Sequence, residues 1–248
     1  MAENQNRVFK SLDEVLCAYL EKENEESRSK HDNDYWYGSE LGLCRRKQFL
    51  RRLGIKSTEK KEFRLMFLGE DGRAMHTWRE EAVEKMGVLL AKEGRLQNDE
   101  LRYKGRFDLI VKLNNKPVLI DIKTQRPEAF FRRSKSAPGN EVKEFQKMQL
   151  ASYVLFAREQ FPDLKEARIY YIDRGGGVRE EYSFTFKKPR FQKVINELKE
   201  LNKYWEAKKF PPIKKNWLCR FCSFKTVCKK VEENNLSVDE VKQIYGQK

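Results

Sequence analysis

Hydrophobic positions recur along the chain with two periodicities, and their order predicts a mixed α/β protein. Five segments with apolar residues at helical spacing are predicted to be helices: 11–20, 39–53, 62–86, 141–160 and 189–209. Two pairs of alternating apolar segments are predicted to be β-hairpins: 107–113 with 118–124, and 167–173 with 178–186. A further strand signal begins near Val88, and Ser237 with Glu240 forms the capping box of a short last helix. We therefore expect a central mixed sheet flanked by helices from both ends of the chain.

Segments that lack apolar periodicity are predicted to be connectors. Residues 21–34 are almost wholly polar, which predicts a flexible connection after the first helix. The basic stretch 126–140 mixes arginines with Phe130 and Phe131. Such a mixture is suited to binding single-stranded nucleic acid by charge and stacking, and it is equally typical of a disordered basic loop.

Composition narrows the class of protein. The 248 residues suffice for one large domain or for a domain with an appendage. With 36% charged residues, no apolar run of about 18 residues and no secretory signal at the start, the chain is expected in the cytoplasm and away from membranes. A net charge of +14 favours a polyanionic partner such as DNA or RNA, although a generally basic surface would give the same balance.

Two carboxylates and a lysine are predicted to meet on one face of the first hairpin. Alternation along a strand places Asp121 and Lys123 on the same face, with Ile122 pointing the other way. Asp108 lies on the partner strand. Two neighbouring carboxylates repel unless a cation lies between them, and oxygen ligands suit Mg²⁺ and Mn²⁺. The pattern predicts metal-assisted phosphodiester hydrolysis, although a D-x-K triplet is also common on ordinary surfaces.

Three further side chains are candidates for the same site. His76, on the helix before the sheet, offers a nitrogen ligand, although most histidines have no such role. Gln149 and Tyr153 lie one turn apart on the helix after the lysine strand, where both can face a DNA strand. An ordinary surface glutamine and a packing tyrosine are the alternative interpretation.

Four of the five cysteines have the spacing of a metal centre. Cys219, Cys222 and Cys228 are clustered, and Cys44 is the candidate fourth ligand. Cys17 lies among apolar helix positions, as expected of a small buried thiol. Four thiolates are compatible with zinc and with a [4Fe–4S] cluster, and spacing alone leaves the choice open.

Together these motifs resemble a known family. Residues 44–47 read C-x-R-K, 105–108 read G-x-x-D, 121–123 read D-x-K and 149–153 read Q-x3-Y. They are similar to the CRISPR-associated iron–sulfur exonucleases, the fourth Cas protein family, within the RecB-like PD-(D/E)xK nuclease superfamily. The resemblance covers most of the chain. Phe107 stands where the superfamily pattern has proline, but the loose G-x-x-D form is usual in the RecB-like branch.

The resemblance implies a role for each motif residue. The ligands implied for a [4Fe–4S] cluster are Cys44, Cys219, Cys222 and Cys228. The ligands implied for Mn²⁺ or Mg²⁺ are His76, Asp108, Asp121 and the carbonyl of Ile122. The residues implied as catalytic are Lys123, Asp108 and Asp121, and those implied as DNA-binding are Gln149 and Tyr153.

By the same resemblance the chain has three parts. A helical region, 1–61, contributes one cluster cysteine, a PD-(D/E)xK nuclease core spans 62–210, and a cysteine-rich cluster-binding segment spans 211–248. The expected function is a metal-dependent DNA exonuclease that acts mainly on single strands or overhangs and trims prespacers in CRISPR adaptation. The expected partners are DNA, the CRISPR integrase complex and a second copy of the chain.

Two other functions remain open at this stage. One is a recombination, repair or viral nuclease with the same chemistry and no CRISPR partner. The other is a non-catalytic nucleic-acid-binding module with a zinc site, in which the acidic pair is incidental.

Overall fold

The structure is a computed structural model that describes most of the chain. The described residues are 11–29, 32–57, 63–125, 142–175, 179–213, 215 and 217–246. The predicted basic loop 126–140 and the turn residues 176–178 lie outside them. The α-helices are α1 Leu12–Ser29, α2 Arg45–Arg52, α3 Phe63–Lys85, α4 Glu144–Ala157, α5 Lys188–Glu206, α6 Lys225–Glu233 and α7 Val238–Tyr245. The strands are β1 Trp36–Tyr37, β2 Leu89–Asn98, β3 Tyr103–Leu113, β4 Lys116–Gln125, β5 Glu166–Asp173 and β6 Arg179–Thr185. Short 3₁₀ turns span Gly38–Glu40 and Trp217–Phe221.

The described strands form one mixed sheet around β3. β2 runs antiparallel along one edge of β3, and β4 pairs antiparallel with residues 109–113 on the other edge. β5 joins β4 in parallel, and β6 pairs antiparallel with β5. Both predicted hairpins, β3–β4 and β5–β6, are confirmed, and the mixed α/β fold with a central sheet between helices is confirmed with them.

β4 pairs with β3 only over residues 109–113, so two strands share that edge of β3. The first two residues of β3 pair in parallel with β1, through Trp36 with Tyr103 and Tyr37 with Lys104. Between these pairs and the first β4 pair, Leu109 with Ile120, no described strand pairs with residues 105–108 on that edge. We call this opening in the sheet the fork, and we define it as residues 105–108 of β3 and 121–123 of β4.

Helices cover both faces of the sheet. The α3 face buries a compact aliphatic cluster, whose members are Leu109, Val111, Val118, Ile120, Ile122 and Ile172. Met75 and Val83 of α3 pack against this cluster. The other face carries the larger core, in which α4 packs on β2, β3 and β5, and α5 packs on α4 and α2. Residues near the two ends, such as Trp36, Leu50, Phe224 and Val241, belong to this same larger core.

The N-terminal and C-terminal segments are held together by polar contacts as well as by the core. Arg46 of α2 forms an ion pair with Glu232 of α6 at 3.1 Å. Ile55 forms an isolated antiparallel bridge with Gly246. The N-terminal and C-terminal segments therefore contact each other at α2 and just after it.

Two sequence-based expectations are wrong in detail. The predicted connector 21–34 is helical as far as Ser29, because charged residues are compatible with a helix and Lys22 pairs with Glu26 one turn away. The predicted helix 39–53 is split into a 3₁₀ turn and α2. Gly42 adopts a φ of +80° at the break, a conformation that glycine adopts without strain.

Among the described residues, none of the helices has the length and apolar character required to span a membrane.

Candidate active site

Asp108 and Asp121 lie opposite each other at the fork. The pairing of β3 with β4 ends at Leu109 and Ile120, which are the immediate neighbours of Asp108 and Asp121. Cross-strand neighbours point to the same side of a sheet, so the two carboxylates converge. The backbone N–H of Ile122 donates to Asp108 Oδ2 at 2.7 Å, which fixes the Asp108 side chain across the opening.

Lys123 completes the group from the same strand. Its Nζ lies 3.1 Å from Asp121 Oδ1 and 2.9 Å from Asp121 Oδ2. Burial alone would lower the pKa of Lys123, but the carboxylates of Asp121 and Asp108 outweigh it and raise the pKa above its usual value. Lys123 is therefore a fixed ammonium charge in the metal-free protein. The predicted shared face of Asp121 and Lys123 is confirmed by this contact.

The acidic pair holds more negative charge than its neighbours neutralise. Burial, followed by the charge of Asp121, raises the pKa of Asp108 to about 7. Asp121 is only 2% exposed, and its Oδ2, although close to Lys123, accepts no hydrogen bond from the residues that the structure describes. A carboxylate oxygen left in this state is a ready ligand for a hard cation.

A third carboxylate approaches from the other edge of β3. Glu93 lies in β2 between Lys92 and Gly94, which pair with Leu109 and Phe107 on either side of Asp108, and Glu93 forms an ion pair with Arg106 at 2.6 Å. Its charge adds to the rise in the pKa of Asp108. Sequence reasoning missed Glu93, because its position depends on the β2–β3 register and no motif marks it.

His76 reaches the acidic pair from α3. Its Nδ1 lies 4.0 Å from Asp108 Oδ2. Burial and then the charge of Lys123 lower the pKa of His76, which favours the neutral imidazole. A neutral imidazole is the form that binds a metal ion.

Gln149 and Tyr153 support the site from inside the protein. Gln149 of α4 is buried, and its Nε2 donates to Tyr153 Oη at 3.0 Å and lies 3.5 Å from Asp121 Oδ1. Tyr153 is 3% exposed, and burial raises its pKa well above the ordinary value. In this structure both side chains contact the site and each other rather than solvent.

Two glycines make room for the tyrosine. A Cβ on Gly105, the glycine of the G-x-x-D motif, would lie 2.5 Å from Tyr103 Oη and 3.0 Å from Tyr153 Cε1. A Cβ on Gly38 would lie 2.7 Å from Tyr153 Cε1. The motif glycine is therefore explained by packing, because only a residue without a side chain lets the ring of Tyr153 approach β3 so closely.

The chain matches a family model over most of its length. Residues 6–229 match the model of the PD-(D/E)XK nuclease superfamily. The chain belongs to the PD-(D/E)XK nuclease superfamily. No curated protein sequence matches it.

Solved structures of low sequence identity share the fold of this PD-(D/E)XK nuclease. SSO0001 is 19% identical with a TM-score of 0.55, and the match covers 88% of this chain and 96% of SSO0001. An alkaline exonuclease from Laribacter hongkongensis, LHK-Exo, is 10% identical with a TM-score of 0.50, over 73% of this chain and 93% of its own. Its complex with dAMP is 12% identical with a TM-score of 0.51, over 79% and 93% of the two chains.

PD-(D/E)XK nucleases use divalent metal ions such as Mg²⁺ or Mn²⁺, and the donors at the fork suit such an ion. They combine two carboxylates, one with an unsatisfied oxygen, and a neutral imidazole. Within the described ranges, no three histidine, cysteine, aspartate or glutamate side chains already lie at the spacing of ligands around one metal ion. The residues therefore fit a divalent ion by their chemistry and by their shared location at the fork.

The four predicted cluster cysteines of this nuclease lie in one neighbourhood. Burial, with smaller contributions from the nearby Cys44 and Cys222, raises the pKa of Cys228 to about 11. Burial also raises the pKa of Cys222, with contributions from Cys44 and Cys219. Cys44 is the N-cap of α2, and Cys228 lies on α6, so the thiols come from two distant segments, and within the described ranges no three of them already have the spacing of ligands around one metal ion. The fifth cysteine, Cys17, lies apart on α1, where its thiol approaches Asp13.

Proposed function

We propose that this nuclease is a metal-dependent DNA exonuclease that acts mainly on single-stranded DNA or overhangs by phosphodiester hydrolysis. The observation that carries the proposal is the fork, where Asp108, Asp121 and Lys123 converge at a gap in strand pairing. The two LHK-Exo structures share only their fold with this chain, and that shared fold supports the exonuclease reaction class.

Each residue at the fork has a distinct role in this proposal. The ion would be held by His76, Asp108, Asp121 and the carbonyl of Ile122. Bound there, a divalent cation polarises the scissile phosphate and offsets charge on the leaving oxygen. Lys123, which the carboxylates keep protonated, supplies a fixed positive charge beside the phosphate.

The DNA-binding role expected for Gln149 and Tyr153 is replaced in this proposal by support of the metal ligands, because both side chains are buried. Gln149 orients Asp121, and Tyr153 fixes the amide of Gln149. Residues that hold a metal ligand in place contribute to activity without contacting the ion.

The first experiment measures degradation of single-stranded DNA labelled separately at each end. Wild type and Lys123→Ala are compared in Mn²⁺, in Mg²⁺ and in chelator. We expect metal-dependent release of mononucleotides or short products from a labelled end by the wild type, and a loss of at least about a hundredfold in the variant, as for removal of an electrostatic stabiliser.

Lys116→Ala is the matched control, because Lys116 begins the same strand at its far end and is exposed. It should retain wild-type activity. Binding of DNA by all three proteins without cleavage in any metal would refute the catalytic role of the fork. Cleavage of circular single strands would show an endonuclease instead.

We also propose that Cys44, Cys219, Cys222 and Cys228 bind a [4Fe–4S] cluster with a mainly structural role. The shared neighbourhood of the four thiols supports this, because it joins α2 to the C-terminal segment. Metal analysis distinguishes the two chemistries that four thiolates allow: iron with acid-labile sulfide supports the cluster, and one zinc per chain supports a zinc site.

Cys222→Ser should lose its visible colour and its stability together, since metal binding and folding are coupled at such sites. Cys17→Ser is the control and should retain both, because Cys17 lies on α1. A Cys222→Ser protein without iron that keeps the wild-type unfolding temperature and activity would refute the structural role.

The biological context that we propose is trimming of prespacers in CRISPR adaptation, with the integrase complex as partner. The C-x-R-K segment and the late cysteines support it. Recovery of an integrase with the tagged protein from its native cells would support this context, whereas recovery of recombination proteins instead would favour the repair alternative.

A further inference from the structure

Arg46 is a charged side chain buried beside the cysteines. It lies on α2 two residues after Cys44, and only 5% of its surface is exposed. Its Nε donates to the carbonyl of Pro211 at 2.7 Å, and its Nη2 forms the ion pair with Glu232. Its guanidinium also lies over the ring of Phe210, 4.9 Å from the ring centre. Two of its three nitrogens are thus accounted for.

The third nitrogen of Arg46, Nη1, lacks such a partner within the described part of the chain. Arg46 Nη1 is inaccessible to solvent and has no hydrogen-bond partner among the residues that the structure describes. A buried donor of a charged group is costly to leave unsatisfied. We therefore expect a hydrogen-bond acceptor for Arg46 Nη1 nearby.

Cys228 is in the right place to be that acceptor. It precedes Glu232 by one turn on α6, so both side chains lie on the helix face that Arg46 contacts. The backbone N–H of Cys228 donates to the carbonyl of Phe224 at 2.8 Å, which holds Cys228 in the first turn of α6.

We propose that Arg46 Nη1 donates a hydrogen bond to the Cys228 sulfur when the four cysteines hold their metal centre, and that Arg46 offsets part of the centre's negative charge. Four thiolates around a [4Fe–4S] core or around Zn²⁺ leave a net negative charge, which is expensive to bury without a cation nearby. Arg46 is a positioning residue in this proposal, which rests on the proposed cysteine site but applies to either metal.

The test compares Arg46→Met, Arg46→Lys and Glu232→Gln with the wild type, all purified without oxygen. The readouts are iron and sulfide per chain, the reduction potential of the cluster and the unfolding temperature. Loss of a positive charge and of a hydrogen bond to sulfur makes the cluster harder to reduce. We therefore expect a more negative potential in Arg46→Met and partial rescue in Arg46→Lys.

Glu232→Gln distinguishes an effect of Arg46 on the metal centre from a purely structural link between α2 and α6. It removes the α2–α6 ion pair but leaves the guanidinium beside Cys228, so the potential should stay at the wild-type value or become less negative. The proposal is overturned if Arg46→Met keeps the wild-type potential and merely unfolds at lower temperature, as a tether would.

A wild type without iron and sulfide would instead refute the proposed cluster, and the role of Arg46 would then be decided with Co²⁺. Thiolate coordination of Co²⁺ gives a charge-transfer absorption that reports binding. Weaker Co²⁺ binding in Arg46→Met than in Glu232→Gln, by about tenfold or more, would support the hydrogen bond to sulfur. Equal affinities would overturn it.

Discussion

Asp108 makes the stability of the metal-free protein depend on pH. Its pKa is about 7 in the folded protein, against an ordinary value of 3.8, because it is buried beside Asp121. The folded state therefore binds the Asp108 proton more tightly than the unfolded state. This contribution to stability is fully present below about pH 4 and is lost as pH rises through about 7.

We predict that the unfolding free energy of the protein in chelator falls between about pH 4 and about pH 7.5, and that Asp108→Asn loses this component. Denaturant unfolding at several pH values measures it. Added Mn²⁺ should stabilise the wild type above pH 7 and leave Asp108→Asn nearly unchanged. The same pH dependence in both proteins would show that another group titrates.

Some side-chain contacts at the fork can be predicted from the sequence, and others cannot. The shared face of Asp121 and Lys123 follows from the two-residue period of a strand, and their contact confirms it. The contact between Gln149 and Asp121 does not follow from any local pattern, because it depends on where α4 crosses the sheet. The cost of a side chain at Gly105 depends likewise on Tyr153, which is remote in sequence.

At the scale of elements, α4 fixes side chains at and beside the fork through polar contacts. It carries Gln149 against Asp121 and Gln146 against Tyr171, whose hydroxyl donates to Gln146 Oε1 at 2.7 Å. Both glutamines are buried, so α4 binds the sheet through specific polar contacts as well as through its apolar side chains. The orientation of Asp121 is therefore set by a helix and not only by its own strand.

We predict that Gln149→Leu lowers nuclease activity by about ten- to a hundredfold, the usual effect of removing a group that orients a metal ligand. Activity at several Mn²⁺ concentrations measures the change, and part of it should be recovered at high Mn²⁺. Gln192→Leu, at an exposed position of α5, is the control. An equal loss at all Mn²⁺ concentrations would argue against an effect on metal binding.

Elements with strong periodicity were predicted better than short ones. The hairpins and α3, α4 and α5 follow from apolar patterns that tertiary structure preserves. β1 is two residues long and exists only because β3 extends beyond β4, so no local signal marks it. The three-part division of the chain stays a prediction, although Trp36 and Val241 share the core of the sheet.

At the scale of the whole molecule, the charge of +14 should govern DNA affinity. We predict that binding of single-stranded DNA by the wild type in chelator weakens by about a hundredfold between about 50 and about 200 mM salt, as expected for about five phosphate contacts to a single strand. Fluorescence anisotropy across this range measures the slope. An affinity independent of salt would show that the charge is only a solvated surface.

The contact between α2 and α6 can form only after both helices have been synthesised. More than 170 residues separate Cys44 from Cys219, and Ile55 is separated from its bridge partner Gly246 by a similar length. A ribosome delivers the first member of each pair long before the second, and the intervening sheet can form in between. The partners that Arg46 contacts, Pro211 and Glu232, are likewise made late. The proposed cysteine site can therefore be completed only after Cys219, Cys222 and Cys228 have emerged, and a chain that ends before them would leave Cys44 without these neighbours.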